Sequence, residues 1–220
     1  MTKFEQFISK NDLMQEYVNA TSQLHNENKS TSCEELERDI KDHFKILLNW
    51  IAEYDAYTGQ HLYTASQIAE YLGQQLDLSH FDLAGLVVGS QMHDIGKVGI
   101  PRSILQKPGR LNAGEKRIMS THPDLGYCIL SHLKTPWNLE QYALMHHERL
   151  DGSGYPNKLL AVDIPNNMRI LSIADVVESL TAERPYRKGT TLNAVIDYLY
   201  SEEGKYDTEI IKILEGFSKV

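Results

Sequence analysis

The chain has 220 residues, of which 22 are basic and 30 are acidic, so its formal net charge is −8 at pH 7. This negative balance argues against a surface that binds nucleic-acid polymers or acidic membranes, because both are polyanions. No apolar run approaches the ~18 residues of a membrane span, the polar start lacks a secretory signal, and Cys33 and Cys128 form no CxxC pair, so we expect a cytoplasmic globular protein.

The predicted elements are almost all helices. The first follows a polar segment, residues 1–33, and begins near Ser32, which with Glu35 has the spacing of a capping box. A second helix is predicted over residues 58–75, whose apolar residues recur on one face. Ser79 is a candidate N-cap of a third helix, which is apolar enough to be buried.

Further helices are predicted toward the C-terminus. Asn112 and Glu115 repeat the capping-box spacing ahead of a fourth helix. The fifth, the sixth and two weaker helices fall within residues 138–147, 166–183 and 191–218. Irregular loops are expected near residues 95–111 and 148–165, which are rich in Gly and Pro. Because no run has the alternating β-branched pattern of a strand, the predicted fold class is all-α.

The segment "HDIGK", residues 93–97, ends the apolar third helix. His93 and Asp94 are therefore expected inside the protein, where an unpartnered carboxylate costs several kcal/mol. If helical geometry continues for one turn, Lys97 lies on the same face. Two interpretations stay open for this segment: an ion pair at a helix end, or part of a site that holds a cation.

Asp175 lies inside the apolar run "ILSIADVVESL". A helix that is apolar on nearly all sides is a buried helix, so this carboxylate is either hydrogen-bonded for structural reasons or a metal ligand.

The nine histidines are unevenly placed. Four lie among polar neighbours and are expected to be solvated: His25, His43, His80 and His132. The other five lie beside helix ends or glycines: His61, His93, His122, His146 and His147. Together with the two aspartates they form a mixed nitrogen and oxygen set that suits iron, manganese or zinc. Seven candidates exceed the needs of one ion, which favours a two-metal centre of the kind that hydrolyses phosphoesters.

Several motifs, taken together, resemble the HD-GYP phosphodiesterases, a branch of the HD metallohydrolase superfamily. The motifs are "TGQH" (58–61), "HDIGK" (93–97), "IP" (100–101), "LQKPGRL" (105–111), "THPDLG" (121–126), "HHE" (146–148), "DGSGYP" (151–156) and "IADVVESLTAERPYR" (173–187). The resemblance covers about residues 50 to 210, with the motifs in order. It implies an all-α helical bundle around a metal centre in residues 51–220, preceded by an N-terminal helical extension or arm over residues 1–50.

The resemblance also implies roles for individual residues. The family's metal ligands fall on His61, His93, Asp94, His122, His146, His147 and Asp175, with Asp94 expected to bridge two divalent ions, iron or manganese before zinc, nickel or cobalt. Asp94 and Lys97 are the expected catalytic residues, and Lys97 is expected near the substrate phosphate and the attacking water. Contacts with the nucleotide or its phosphates are expected from Tyr155, Arg184 and Arg187.

The implied activity is hydrolysis of cyclic di-GMP to a linear dinucleotide or onward to GMP. Three alternatives stay open: a cyclic GMP-AMP phosphodiesterase, a mononucleotide phosphohydrolase of the wider superfamily, and a non-catalytic dinucleotide sensor. The "DGSGYP" and "RPYR" motifs argue against the mononucleotide enzyme, and the complete ligand set argues against the sensor. Besides the cyclic dinucleotide, a second copy of the chain or a signalling protein is the expected partner.

Two departures from the family pattern bear on the site. Tyr57 stands where some members have a glutamate associated with a third metal, so two ions are expected rather than three. After "GYP" the chain reads "NKLLAVDIP", with Lys158 and Ala161 where the family usually has glycine. The altered loop leaves the choice between cyclic di-GMP and cyclic GMP-AMP open.

Overall fold

The computed structural model describes residues 49, 51, 53–133, 135–183 and 188–217. Its α-helices are α1 Ala56–Gln75, α2 His80–Met92, α3 Arg102–Leu105, α4 Ala113–Met119, α5 His122–Leu130, α6 Leu139–Met145, α7 Asn166–Thr181, α8 Leu192–Ser201 and α9 Thr208–Phe217. Two 3-10 helices lie at Ile95–Gly99 and Ala161–Asp163. Within the described ranges the only β pairing is an isolated bridge between Asp151 and Leu160, so the predicted all-α fold class is confirmed.

The start of the first predicted helix, at Ser32, lies outside the described residues. The predicted extension over residues 1–50 also lies outside them, except for Asn49.

Side chains cap the N-termini of helices α1, α2 and α4. Ser79 caps α2 by accepting the backbone N–H of Asp82 at 3.1 Å, as predicted. Asn112 caps α4 through the predicted capping box, in which its side chain and that of Glu115 each accept the other's backbone N–H. Helix α1 begins two residues before the predicted start, because Asp55 accepts the N–H of Thr58.

The two expected loops contain more regular structure than the Gly and Pro content indicates. In the first, the 3-10 helix Ile95–Gly99 continues directly from the end of α2, and α3 follows it. In the second, the bridge between Asp151 and Leu160 closes the loop upon itself. Glycine is used both in turns and where segments pack closely. Composition alone does not separate these two uses, so a Gly-rich segment is predicted to be irregular even when it is regular.

The helices pack as a bundle around an apolar core. Helix α1 lies between α2 and α7, while α5 packs against α6 and the 3-10 helix Ile95–Gly99. Fully buried side chains from these elements include Leu62, Leu72, Leu86, Met92, Leu130 and Leu171. None of the helices in the described part of the chain has the length and apolar character that a bilayer crossing requires. The buried polar residues described below therefore lie among apolar side chains of the bundle core.

Candidate metal centre

All seven residues that the sequence motifs select as metal ligands lie around one point of the bundle. Five segments supply them: α1, the end of α2, the start of α5, the turn after α6 and the middle of α7. In that order they are His61, His93 with Asp94, His122, His146 with His147, and Asp175. All are buried except His147, which is half-buried. The other two histidines in the described ranges, His80 and His132, are exposed as expected.

One group of ligand atoms comprises His61, His93 and Asp94, whose nearest nitrogen and oxygen atoms lie within 4.8 Å of one another. The Nε2 atoms of His61 and His93 are 3.3 Å apart. Asp175 belongs beside this group, because its Oδ1 lies 3.2 Å from Nε2 of His61 and 3.8 Å from Nε2 of His93. Two imidazoles and two carboxylates therefore point at the same small volume.

A second group comprises His122, His146 and His147. The Nε2 atoms of His122 and His146 are 3.1 Å apart, and the ring of His147 lies 4.0 Å from that of His146 between centroids. This group is richer in nitrogen than the first, so the two halves of the centre differ in charge.

Asp94 lies between the two groups and turns one oxygen toward each. Its Oδ2 is 3.5 Å from Nε2 of both His61 and His93, while its Oδ1 is 3.1 Å from Nε2 of His122 and 3.6 Å from Nε2 of His146. Oδ1 is buried and accepts no hydrogen bond from any described residue. Because an unpartnered buried carboxylate oxygen is costly, this geometry fits a cation lying between Oδ1 and the imidazoles.

The histidine tautomers fit the same interpretation. Three of the rings donate Nδ1–H to the backbone carbonyl three residues earlier, at 2.7 to 2.8 Å: His93 to Ser90, His122 to Met119 and His146 to Ala143. In a neutral imidazole this leaves the lone pair on Nε2, the atom that faces the centre. The local helix ends thus orient the ligands before any ion binds.

Burial and neighbouring charges set the protonation states. Burial lowers the pKa of His146 well below its usual range and the pKa of His147 to about 3, and neighbouring histidines add to both effects. Burial alone would raise the pKa of Asp94 and Asp175, but Lys97 beside Asp94 and the His61 hydrogen bond to Asp175 hold both pKa values well below the usual range. Neutral imidazoles and ionised carboxylates are the forms that bind divalent cations.

Glu178 is a buried residue of the centre that the sequence patterns did not single out. It is buried in α7, one turn after Asp175, and accepts the Nδ1–H of His61. Burial lowers the pKa of His61, but the hydrogen bonds to Asp175 and Glu178 outweigh burial and raise that pKa to about 9. The carboxylates therefore create a strongly negative potential in the first group. The available signal was the spacing of Asp175 and Glu178, which puts both carboxylates on one side of an apolar helix.

A cavity of about 530 Å³ opens beside the centre, within the range of small-molecule sites. Of the predicted substrate-binding residues, Lys97 and Tyr155 line it. Lys97 also makes an ion pair with Asp94, so the ion-pair interpretation of "HDIGK" is confirmed, while the same two residues lie at the candidate metal centre. Tyr155 stacks on His147, with the rings 4.7 Å apart and inclined by 29°. Arg184 and Arg187 lie outside the described residues.

The segment 104–111 also lines the cavity. It contributes an apolar surface with one cation, and the lining residues there are Ile104, Leu105, Gln106, Lys107, Pro108, Gly109 and Leu111. Lys107 is held by both oxygens of Glu115, at 2.8 and 2.6 Å. The motif "LQKPGRL" contains Lys107 but predicts no role for it, because a lysine in a loop carries no distinguishing pattern.

The residues that depart from the family pattern differ in their surroundings and backbone conformation. Tyr57 lines the cavity near His61. Lys158 adopts a left-handed backbone conformation with φ of 57°, which explains why glycine suits this position. Ala161 begins the 3-10 helix Ala161–Asp163, where φ is not positive.

Comparison with known proteins gives consistent relatives. The family model described as "HD domain" matches residues 12–210. A cyclic di-GMP phosphodiesterase response regulator, RpfG of Xanthomonas campestris, is 36% identical over 176 residues, which cover 79% of this chain and 47% of that protein. A 3'3'-cGAMP-specific phosphodiesterase 2 of Vibrio cholerae is 36% identical over 171 residues, which cover 76% of this chain and 33% of that protein. The chain thus spans less than half the length of these two relatives.

Solved structures agree on the fold. An HDG"Y"P protein of Bdellovibrio bacteriovorus, Bd1817, superposes with a TM-score of 0.62 at 18% identity, covering 94% of this chain and 71% of that one. The HD domain of the Listeria monocytogenes phosphodiesterase PgpH gives a TM-score of 0.59 at 19% identity, covering 78% of this chain and 94% of that one. The family match over most of the sequence, together with the motifs around the centre, shows that the chain belongs to the HD domain family, in its HD-GYP branch.

Proposed function

We propose that the protein is a metal-dependent phosphodiesterase that hydrolyses cyclic di-GMP to the linear dinucleotide, with GMP as the product of a second cleavage. The observation that carries this proposal is the convergence of the seven ligand candidates at one end of a cavity that Lys97 and Tyr155 also line. Similar proteins with cyclic di-GMP in their names support the choice of substrate.

The proposed centre holds two divalent ions, iron or manganese. His61, His93 and Asp175 would hold one, His122, His146 and His147 would hold the other, and Asp94, which lies between the two groups, would serve both. When bound, such ions polarise the phosphoryl oxygens and lower the pKa of the attacking water. The histidine tautomers and the orphaned oxygen of Asp94 support this assignment.

The remaining side chains have proposed roles toward the substrate. Lys97, held by Asp94, places a positive charge at the cavity surface for the phosphate that is cleaved. Tyr155 offers its ring to a nucleobase. Phosphate binding is also the proposed role of Arg184 and Arg187, because a guanidinium group can bind phosphate oxygens bidentately. Hydrolysis joins the water oxygen to phosphorus, breaks the bond to the leaving ribose oxygen and returns a proton to that oxygen.

A second candidate substrate is cyclic GMP-AMP. The altered loop after Tyr155 supports this second substrate, because Lys158 adds a positive charge to the loop that carries the Tyr155 ring. Similar proteins named as 3'3'-cGAMP-specific phosphodiesterases support it too. The complete ligand cluster argues against the non-catalytic sensor.

The test is a product assay on protein loaded with Mn²⁺ or Fe²⁺, with cyclic di-GMP and cyclic GMP-AMP in parallel. We expect cleavage of cyclic di-GMP, and a preference for cyclic GMP-AMP would assign the second candidate. Fully loaded protein that binds both dinucleotides and cleaves neither would show a sensor instead.

The metal stoichiometry needs its own measurement. Because Tyr57 cannot replace a carboxylate ligand, we expect elemental analysis of fully loaded wild-type protein to give two ions per chain. The Tyr57→Glu variant should bind no more than three ions per chain. Three ions in the wild-type protein would contradict the two-metal proposal.

We propose a catalytic domain over residues 51–220 in the cytoplasm, with residues 1–50 as an extension that contacts a second copy or a signalling protein.

A further inference from the structure

Glu148, which directly follows the histidine pair, binds the backbone of residues 157–159 in the loop after Tyr155. Its side chain is buried with 2% of the residue exposed. Oε1 accepts the backbone N–H groups of Asn157 at 2.6 Å and Lys158 at 3.1 Å, and Oε2 accepts that of Leu159 at 3.0 Å. Three successive N–H groups that converge on one carboxylate form an anion-binding nest inside the protein.

The nest requires a backbone conformation that its sequence disfavours. Lys158, its middle residue, has φ of 57°, a region that residues with a Cβ atom rarely adopt. A conformation of this kind persists when surrounding interactions determine it. At Lys158 those interactions are the hydrogen bonds to Glu148, so the carboxylate holds the loop in a shape that glycine would adopt freely.

The loop that Glu148 holds also carries Tyr155. The backbone N–H of Tyr155 donates to the carbonyl of His147 at 3.3 Å, and its ring stacks on the ring of His147. Gly154 packs so tightly that an added Cβ would lie 2.5 Å from the backbone of Glu148 and Arg149. The chain is thus pinned on both sides of Tyr155, by Gly154 before it and by the nest after it.

Glu148 itself lies outside the groups that face the centre and the cavity. Among the described residues it belongs neither to the two ligand groups nor to the cavity lining. Its neighbour Arg149 donates to backbone and hydroxyl oxygens, including the carbonyl of Glu148 at 2.7 Å. The hydrogen bonds of the Glu148 carboxylate therefore connect it to the loop rather than to the ligand side chains.

We propose that Glu148 is a positioning residue for Tyr155: its carboxylate closes the nest of residues 157–159 and so fixes the tyrosine ring as a wall of the dinucleotide pocket. This inference rests on the proposed function for the identity of the substrate. The anchoring of the loop can be measured without any substrate.

The experiment uses Glu148→Gln, which keeps the shape but replaces one acceptor oxygen by a donor. Exposed Glu203 provides the matched control, Glu203→Gln. We expect amide hydrogen exchange at Asn157, Lys158 and Leu159 to accelerate about tenfold or more in the Glu148 variant alone. We also expect an unchanged metal content, and a KM for cyclic di-GMP raised about tenfold with kcat changed less than about twofold.

A double-mutant cycle tests whether Glu148 acts through Tyr155. If it does, the variant with both Glu148→Gln and Tyr155→Ala has the same KM as Tyr155→Ala alone. Additive effects in the double variant would overturn the inference, and so would loss of metal in Glu148→Gln, which would show that the carboxylate supports His147 instead.

Failure of the inference and failure of the proposed function give different results. Unchanged amide exchange in Glu148→Gln overturns the inference even when the wild-type protein cleaves cyclic di-GMP. If wild-type protein neither binds nor cleaves a cyclic dinucleotide, that result overturns the proposed function and the proposed role of Tyr155 as a wall of the pocket. This holds whatever the exchange rates show.

Discussion

At the scale of single residues, Glu178 distinguishes His61 from the other histidines of the centre. His93, His122 and His146 donate to backbone carbonyls, whereas His61 donates to a buried carboxylate. A carboxylate partner makes an imidazole a stronger ligand and fixes its orientation. The first ligand group thus gains negative charge from a residue outside the set of candidate ligands.

Replacing Glu178 therefore weakens one half of the centre. For Glu178→Gln we expect about tenfold weaker binding of the ion that His61 holds, within the range for such outer partners, measured by competition with a chromogenic chelator. Glu70→Gln changes a carboxylate on the outer side of α1, the helix that carries His61, and serves as the control. Equal affinities of wild type and Glu178→Gln at both sites would contradict this role.

Asp94 has the largest expected effect of any single residue. Because its two oxygens face both groups, Asp94→Ala would remove a ligand from each of the two proposed ions, and we expect loss of both metals and a fall in kcat of about 10³-fold or more. Elemental analysis and the product assay measure the two effects. Near-normal turnover in this variant would overturn the assignment of the site.

At the scale of elements, the close contact between the 3-10 helix Ile95–Gly99 and α5 brings Asp94 near His122. The contact depends on Gly96, where an added Cβ would lie 2.0 Å from the carbonyl oxygen of His122 and 2.5 Å from the N of Gly126. These are backbone atoms, so neither side can yield by changing a rotamer. The glycine of "HDIGK" therefore sets the distance between two ligand-bearing elements.

Gly96→Ala should separate these elements. We expect a loss of about 3 kcal/mol in the free energy of unfolding, as for overpacking of a tight interface, with weaker metal binding because His122 moves away from Asp94. Urea unfolding and metal titration measure these effects. Gly216→Ala, at a helical position with nothing within 4 Å of the added Cβ, is the control and should be neutral or slightly stabilising. A Gly96→Ala protein as stable as this control would contradict the packing argument.

At the scale of the whole molecule, the metal centre joins segments that are distant in sequence. Its candidate ligands come from α1, the end of α2, α5, α7 and the turn after α6, and the hydrogen bond between His61 and Glu178 spans 117 residues. Bound ions would therefore connect the helices of the bundle. Without them, buried carboxylates and imidazole lone pairs face one another at a cost in free energy.

Metal removal should accordingly lower global stability. At free-ion concentrations 100-fold above Kd, each site contributes about 2.7 kcal/mol, so we expect chelation to lower Tm and addition of Mn²⁺ to restore it, as measured by calorimetry. The Asp94→Ala protein, which we expect to bind neither ion, should show the same Tm with and without chelator. A wild-type Tm that chelation leaves unchanged would contradict a structural contribution from the ions.

Sequence patterns alone determined the fold class, most helix positions and the identity of the seven ligand candidates. Helical periodicity and caps such as Ser79 and the pair Asn112 and Glu115 are local signals, because a helix satisfies its hydrogen bonds within a few residues. Asp94 and Asp175 were recognisable because a carboxylate in an apolar run needs a partner.

Only the tertiary structure decided how these residues divide and what supports them. The two ligand groups, the bond from Glu178 to His61 and the nest around Glu148 join residues whose neighbours in sequence carry no sign of the pairing. In the sequence, Glu178 in its helix and Glu148 before the glycine loop cannot be distinguished from solvent-exposed glutamates, because their burial results from packing. Which donors then surround each carboxylate depends on how the helices meet, and that is set by the core as a whole.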